Sequence, residues 1–165
     1  MTDFRAETLA ALRAVAAADY RDIPARLAEI AHPDVRWRIA HPVGEVHGIA
    51  DVAEAWHRPL RRAFPRLARR DDIVVGGEST TGSGRWVATL GHYAGAFETP
   101  FMGVTASSKL AFLRVGEFYR IADGRIAEAV ILPDLLDLMR QTGRFPLPHQ
   151  LGVEMLFPAP ATHDG

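Results

Sequence analysis

The segment 117–141 restricts the possible folds of this 165-residue chain more than any other part of it. In its middle, Asp123 and Gly124 stand between two runs of residues that favour strands, 118–121 and 126–132. An Asp-Gly pair in this position favours a two-residue type I′ turn, because glycine adopts a positive φ without steric cost. The sequence therefore predicts an antiparallel β-hairpin.

A helix is predicted to follow the hairpin directly. Pro133 ends the second strand, because proline donates no ladder hydrogen bond, and it suits the first turn of a helix. Apolar residues then recur at helical spacing over 135–139. Asp134 therefore lies where the strand meets the helix. There it is either a general acid or base in a partly apolar pocket or the N-cap of the helix, and the sequence leaves both open.

The remaining chain predicts helices first and strands afterwards. Helical spacing is found over 3–19, 22–30 and 49–64, and Pro59 should divide the third helix. Strand patterns cover 35–39, 73–78, 85–97 and 106–121. This order predicts an α+β fold in which the helices pack on one face of a curved antiparallel sheet. We expect one domain over 1–165, with an extended, proline-containing and apolar tail over 143–165.

Composition narrows the classes of function. The net charge of −1 gives no attraction to nucleic acids or acidic membranes, and we interpret the arginines of 58–70 as a solvated helix face. No apolar run approaches the roughly 20 residues of a membrane span, and there is no cysteine. The close histidines His41 and His47 form no metal-ligand motif, so no metal site is predicted. A cytoplasmic protein is the expectation.

Two strand positions carry polar side chains, one with a possible function in binding and one with a structural partner. Strand alternation places Tyr93 on one face with Gly91 and Gly95, which leaves room for the phenol to donate to a substrate oxygen. A core tyrosine with a backbone partner is the alternative. Glu128 is predicted to pair with Arg120 across the hairpin.

Several segments resemble the SnoaL-like polyketide cyclases of the nuclear transport factor 2-like superfamily. The resemblance rests on 91–95 (GHYAG), 101–104 (FMGV), 117–128 (EFYRIADGRIAE), Asp134, Leu138 and 141–143 (QTG). It implies a cone of curved antiparallel sheet closed by helices, and an intramolecular aldol reaction without a metal or an organic cofactor. It also implies that Asp134 is the acid/base. Tyr93 occupies the position of an assisting histidine of the family, and Val130 that of a tryptophan.

The resulting hypothesis is a cofactor-free cyclase, isomerase or lyase acting on a small hydrophobic carbonyl compound. Asp134 takes a proton next to the carbonyl, and Tyr93 donates to the enolate oxygen. Contacts with the substrate are predicted for His92, Val130, Phe101, Trp37 and His41. A hydrolase or dehydratase in which Asp134 activates water, and a non-catalytic binding protein, are the alternatives.

Assembly is also predicted. Trp86, Leu90 and His92 lie on the strand face opposite Tyr93. The resemblance implies that this outer face of the sheet pairs two subunits, so we expect a homodimer.

Overall fold

The computed structural model describes residues 3–148, so the predicted tail lies outside the described residues from position 149 onward. The helices are α1 (Phe4–Ala17), α2 (Ile23–Ile30), α3 (Gly48–Val52), a π-helical turn (Ala53–His57), α4 (Arg58–Ala63) and α5 (Leu135–Gln141). The strands are β1 (Ala31–Ile39), β2 (Gly44–His47), β3 (Ala68–Glu78), β4 (Arg85–Ala96), β5 (Leu110–Ala122) and β6 (Arg125–Pro133). The predicted α+β order is confirmed.

The strands form one six-stranded sheet in the order β2-β1-β6-β5-β4-β3. Four of the neighbouring pairs are antiparallel, as predicted, but β1 pairs with β6 in parallel. The segment 41–48, for which no strand was predicted, contains β2, which pairs with the end of β1. The parallel pairing joins strands that are distant in sequence, and local patterns do not encode such pairing.

The hairpin and the helix after it have the predicted geometry. Asp123 has φ 48° and Gly124 has φ 75°, the two positive values that a type I′ turn requires. β6 ends at Pro133, and α5 begins at Leu135 with Asp134 as its N-cap. Across the hairpin, Arg120 Nε donates to a Glu128 carboxylate oxygen at 3.0 Å, which confirms this predicted pair.

The end of α5 forms hydrogen bonds with β5 beyond the point where β6 ends. The Gln141 side chain accepts from the Phe112 backbone N–H at 2.9 Å and donates to the Phe112 carbonyl at 2.7 Å. One amide therefore replaces the two hydrogen bonds that a further strand residue would make. This contact holds α5 against β5.

Pro59 divides the third helical segment as predicted. The chain forms the π-helical turn Ala53–His57 between α3 and α4. A proline has no N–H for the preceding turn, and a wider turn accommodates the missing bond. The turn places Trp56 and His57 against the sheet.

The arginine-rich segment is not one helix face, and this prediction is wrong. α4 ends at Ala63, and β3 begins at Ala68, five residues before the predicted start at Ile73. In the strand, alternation exposes the Arg70 side chain (77%) and buries that of Arg69 (5%). β3 and β4 lie so close here that a Cβ on Gly91 would be 2.0 Å from the Arg70 carbonyl oxygen.

The core lies between the inner face of the sheet and the helices. Along β5, alternate residues are buried (Ala111, Leu113, Val115, Glu117, Tyr119), whereas the opposite face leaves large apolar side chains exposed (Leu110, Phe112, Phe118). The outer face of the sheet is therefore apolar and uncovered in the single chain. No helix within residues 3–148 is both long and apolar enough to cross a membrane.

Candidate functional site

A cluster of polar side chains lies on the inner face of the sheet. Pairing of β3 with β4 sets Arg69 opposite Tyr93, and pairing of β4 with β5 sets Thr89 opposite Glu117. Because these positions follow a period of two along each strand, all four side chains point inward. We call these four residues the inner cluster.

Glu117 is the centre of the inner cluster. Its carboxylate accepts from the Tyr93 hydroxyl at 2.8 Å, from the Thr89 hydroxyl at 3.1 Å and from Arg69 Nη2 at 2.5 Å. The Glu117 side chain is fully buried (0% exposed). A buried charge requires such partners, and both oxygens of this carboxylate are occupied.

The charges of the inner cluster continue outward to α1. Arg69 Nε donates to Asp71 at 2.8 Å, and the other Asp71 oxygen accepts from Arg13 Nε at 2.9 Å. Burial acts to lower the pKa of Arg69, but Tyr93 and the charge of Glu117 raise it above its ordinary value. Arg69 is therefore a permanent cation between two carboxylates.

Both inner tyrosines keep their protons at neutral pH. Burial, reinforced by the negative charge of Glu117, raises the pKa of Tyr93 and of Tyr119 well above the ordinary value. A phenol has one hydroxyl hydrogen, and the Tyr93 hydroxyl donates it to Glu117. In this arrangement Tyr93 does not offer a substrate the hydrogen bond that the sequence predicted.

Aromatic rings pack beside the inner cluster. The Trp37 and His57 rings meet edge to face with centroids 5.1 Å apart, and Trp37 meets Tyr119 at 6.0 Å. Trp56 meets Tyr93 at 6.4 Å and Phe101 at 5.8 Å. β1, the π-helical turn and the sheet thus bring three nitrogen-bearing rings into one interior.

Three ring nitrogens in this interior have no hydrogen-bond partner in the described part of the chain. Trp37 Nε1, Trp56 Nε1 and His57 Nε2 are buried, and no other atom of residues 3–148 bonds to them. An indole nitrogen only donates, so two of the three are donors without acceptors. Burial, with a smaller contribution from the charge of Arg69, lowers the pKa of His57 to about 3, so this ring is neutral at physiological pH.

A small cavity lies beside the inner cluster. Between α1, α2, α4 and the sheet there is a cavity of about 10 Å³, which His57, Arg69 and Tyr93 line together with apolar side chains. This is room for about one water molecule. The interior around this cavity is mostly apolar but contains a charged pair, because Arg69 and Glu117 point inward.

The structure brings together only some of the predicted site residues. Tyr93, Trp37 and Phe101 are buried in the interior. His92 alternates with Tyr93 and lies on the outer face, where its Nδ1 is 2.9 Å from Asp72. Val130 alternates with the buried Ala129 and Ile131 and is also on the outer face, and His41 is exposed after β1. The three do not reach the inner cluster.

Asp134 is half-buried at the junction of β6 and α5. Its Oδ1 accepts from the Asp137 backbone N–H at 2.9 Å, which is the N-cap geometry. The second carboxylate oxygen has no partner among the described residues. The two interpretations from the sequence are therefore compatible, since one oxygen caps the helix and no described residue bonds to the other.

A pH effect on stability should follow from His57. Its folded pKa of about 3 lies below the ordinary 6.5, so the unfolded chain takes up a proton as the pH falls below about 6.5 and the folded chain does not. The contribution of His57 is present above that pH and is lost toward pH 3, by up to about 1.4 kcal/mol per pH unit. Urea unfolding between pH 7 and 4 should therefore give a steeper acid loss for the wild type than for His57→Gln. Parallel curves would contradict the neutral, buried histidine.

Among residues 3–148, no three or more His, Asp or Glu side chains are placed to hold a metal ion.

Solved structures share this architecture. A protein of Jannaschia sp. CCS1 assigned as a SnoaL-like polyketide cyclase is 23% identical (TM-score 0.65), over 90% of this chain and 98% of that one. IdmH of Streptomyces antibioticus, a proposed polyketide cyclase, is 22% identical (TM-score 0.66), over 84% and 98%. A Catenulispora acidiphila protein with a ketosteroid isomerase-like fold is 13% identical (TM-score 0.62), over 83% and 92%. These likenesses define the fold class.

Sequence comparison identifies the family. Residues 8–142 match the model of the SnoaL-like polyketide cyclases, and the chain belongs to this family. No match was found among curated proteins.

Proposed function

We propose that this chain is a cofactor-free cyclase or isomerase that acts on a hydrophobic carbonyl compound by moving a proton from the carbon next to a carbonyl group. The observation that carries the proposal is the pair of buried indole N–H groups, of Trp37 and Trp56, without an acceptor in residues 3–148. A buried polar group left unpaired costs about 1–3 kcal/mol. A ligand oxygen that accepts from these groups removes this cost, and a carbonyl oxygen is a suitable acceptor.

His57 supplies a third donor in this proposal. Its ring is neutral, and we infer that Nε2 carries the hydrogen. A neutral imidazole polarises a carbonyl through a hydrogen bond without giving up its proton. Trp37 and His57, whose rings are 5.1 Å apart, then hold one carbonyl oxygen together.

Asp134 is the proposed base, because the carboxylate of Glu117 already accepts hydrogen bonds at both oxygens. Both oxygens of Glu117 accept hydrogen bonds within the inner cluster, whereas Asp134 keeps one oxygen without a partner among the described residues. The proton moves from carbon to this oxygen, and the electron pair moves onto the carbonyl oxygen as an enolate. In an aldol step the enolate carbon attacks a second carbonyl, the new alkoxide takes a proton from water, and Asp134 releases its proton to water.

The separation of these groups favours an elongated substrate with at least two carbonyl groups. Trp37 lies opposite Ala129 in the β1–β6 register, and Asp134 is five residues further along. At about 3.3 Å per residue this is roughly 16 Å. Trp56 contacts Tyr93 on β4, and Tyr93 is paired with Leu113 on β5. The next residue on β5 is Arg114, whose backbone carbonyl accepts a hydrogen bond from the Asp134 N–H. We therefore assign Trp56 to the enolate oxygen and the pair Trp37 and His57 to the more distant oxygen.

Substrate binding requires the interior to open. The present cavity of about 10 Å³ lies under α1 and α2, so side chains between these helices and the sheet have to move before a diketone enters. A second candidate is a hydrolase or dehydratase. The same cavity supports it, because the cavity has room for one water molecule beside His57 and Arg69.

Solvent-deuterium exchange tests the proposal. The chain is incubated in D₂O with linear diketones such as 2,6-heptanedione, and proton NMR follows both the signals next to the carbonyls and the cyclised product. We expect exchange or cyclisation above the uncatalysed rate, with no effect on the matched diols, which have no acidic C–H. Hydrolysis of ester analogues without exchange would favour the second candidate. A series of diketones and keto esters without any acceleration would contradict the proposal.

We also propose that two copies pair through the outer face of the sheet. Support comes from its exposed large apolar side chains, including Leu90 (42% exposed), Phe118 (41%) and Leu132 (49%), an arrangement that is uncommon on monomers. Light scattering should give about twice the chain mass of 18.1 kDa at micromolar concentration, and Leu90→Arg should shift it to the monomer. A wild-type mass near 18.1 kDa would contradict pairing.

A further inference from the structure

A cleft of about 700 Å³ lies away from the inner cluster, between the two hairpin turns and the first two helices. We propose that it binds an organic cation, a hydrophobic amine whose ammonium group lies between Glu7 and Asp123. In β4 the cleft reaches Arg85, eight residues from Tyr93, so it is separate from the proposed site of chemistry. Its volume is within the range of sites for small organic ligands, about 300–1,000 Å³.

The floor of the cleft is apolar. α1 contributes Phe4 and Ala11, α2 contributes Ile30, and the β5–β6 hairpin contributes Ile121 and Ile126. A ligand that gains affinity here has an apolar body, because covering these side chains removes hydrocarbon surface from water.

The rim of the cleft carries excess negative charge. Four carboxylates and one guanidinium line it, namely Glu7, Glu29, Glu78, Asp123 and Arg85. Two of the carboxylates already have cations, since Arg85 Nε is 2.8 Å from Glu78 and Arg26 Nη1 is 3.1 Å from Glu29. Within residues 3–148, neither the Glu7 nor the Asp123 side chain has an ion pair or hydrogen bond.

These two carboxylates belong to different elements, both of which line the cleft. Glu7 is in the first turn of α1, and Asp123 is in the turn between β5 and β6. A primary ammonium group has three donors and is attracted to both, whereas an anionic ligand is repelled. Charge and surface together select an amine with an apolar body.

The probe for this site is dansylcadaverine, which joins a primary ammonium group to a naphthalene ring. Its fluorescence is titrated against the full chain at low salt, and N-acetyl dansylcadaverine, the neutral analogue, is the matched control. We expect saturable binding of the amine, at least fivefold weaker binding of the acetylated probe, and loss of the difference as salt screens the charges. Equal affinities for the two probes, or no saturable binding of the amine, would overturn the proposal.

Variants locate the ammonium group. Glu7→Gln and Asp123→Asn each remove one charge, and asparagine tolerates the positive φ of position 123. Each should weaken amine binding about twofold to fivefold, the scale of an exposed ion pair, and the double variant about tenfold. Glu98→Gln, at an exposed carboxylate outside the cleft, should leave binding unchanged. An unchanged affinity in the double variant, with unfolding like that of the wild type, would overturn the assignment.

Discussion

Replacing Arg69 with methionine should lower the free energy of unfolding by about 3–5 kcal/mol, the cost of removing one partner from a buried ion pair. The Arg69 side chain is 5% exposed, and it bridges Glu117 and Asp71, which are 0% and 2% exposed. Methionine fills a similar volume but leaves the Glu117 charge without a cation. Urea unfolding at pH 7 measures the loss as a lower midpoint at an unchanged slope.

Arg70→Met is the matched control, because the neighbouring arginine has the opposite orientation. Its side chain is 77% exposed and pairs with Asp72 at 2.7 Å. Surface pairs of this kind contribute about 0–1 kcal/mol, so Arg70→Met should change stability little. Equal losses in the two variants would contradict the buried network.

Removing the unpaired carboxylate as well should restore part of the stability. In Arg69→Met combined with Glu117→Met, the interior no longer holds an uncompensated charge, and Asp71 keeps its contact with Arg13 at 2.9 Å. The double variant should therefore be more stable than Arg69→Met alone. Additive losses from the two substitutions would indicate that Arg69 and Glu117 act independently.

Asp134→Asn should lower the exchange rate of diketone protons by a hundredfold or more, which is the usual scale for a general acid or base. Asparagine keeps the shape of the side chain and is an equally good N-cap, so it retains the hydrogen bond from the Asp137 N–H. It has no carboxylate oxygen to take the proton. Exchange is measured by proton NMR in D₂O, and stability by urea unfolding of the same samples.

Asp137→Asn is the control for this substitution. Asp137 lies in the first turn of the same helix and pairs with Arg140 at 2.8 Å. It should keep the wild-type exchange rate. If Asp134→Asn exchanges at the wild-type rate, or loses chiefly stability, then Asp134 is a helix cap and not the base.

The sequence predicted the second half of the fold well because its signals are local. The type I′ turn at Asp123 and Gly124 requires only two residues with positive φ. Pro133 ends the strand because a proline has no N–H to donate to the ladder. The arrangement of β1 beside β6 could not be predicted in this way. It depends on parallel pairing across about 90 residues, as between Trp37 and Ala129.

The charged residues of the inner cluster, Arg69 and Glu117, were missed for a different reason. Arg69 lies in a segment with so many arginines that a solvated helix face explained it, and only β3 turns this side chain inward. A signal for Glu117 was present, since it alternates with Leu113, Val115 and Tyr119 on what is otherwise an apolar strand face. A carboxylate on such a face needs a buried cation, and that requirement leads to Arg69.

The candidate site was predicted in part. Alternation placed Tyr93 and Trp37 correctly on strands, and both are in the interior. The hydrogen-bond partners of Tyr93 could not be predicted, because they lie on β3 and β5. His57 gave no signal, since its inward position depends on the π-helical turn.

The most direct test of the proposed site is the ¹H–¹⁵N NMR spectrum of the three tryptophan indoles. Trp86 is the internal reference, because its Nε1 donates to Ser83 at 3.1 Å outside the interior, whereas Trp37 and Trp56 have no acceptor among the described residues. Assigned by Trp→Phe substitutions and titrated with 2,6-heptanedione, the Trp37 and Trp56 N–H signals should move downfield as a carbonyl oxygen accepts from them, and the Trp86 signal should stay in place. Unchanged Trp37 and Trp56 signals at diketone concentrations that saturate exchange would contradict the interior site.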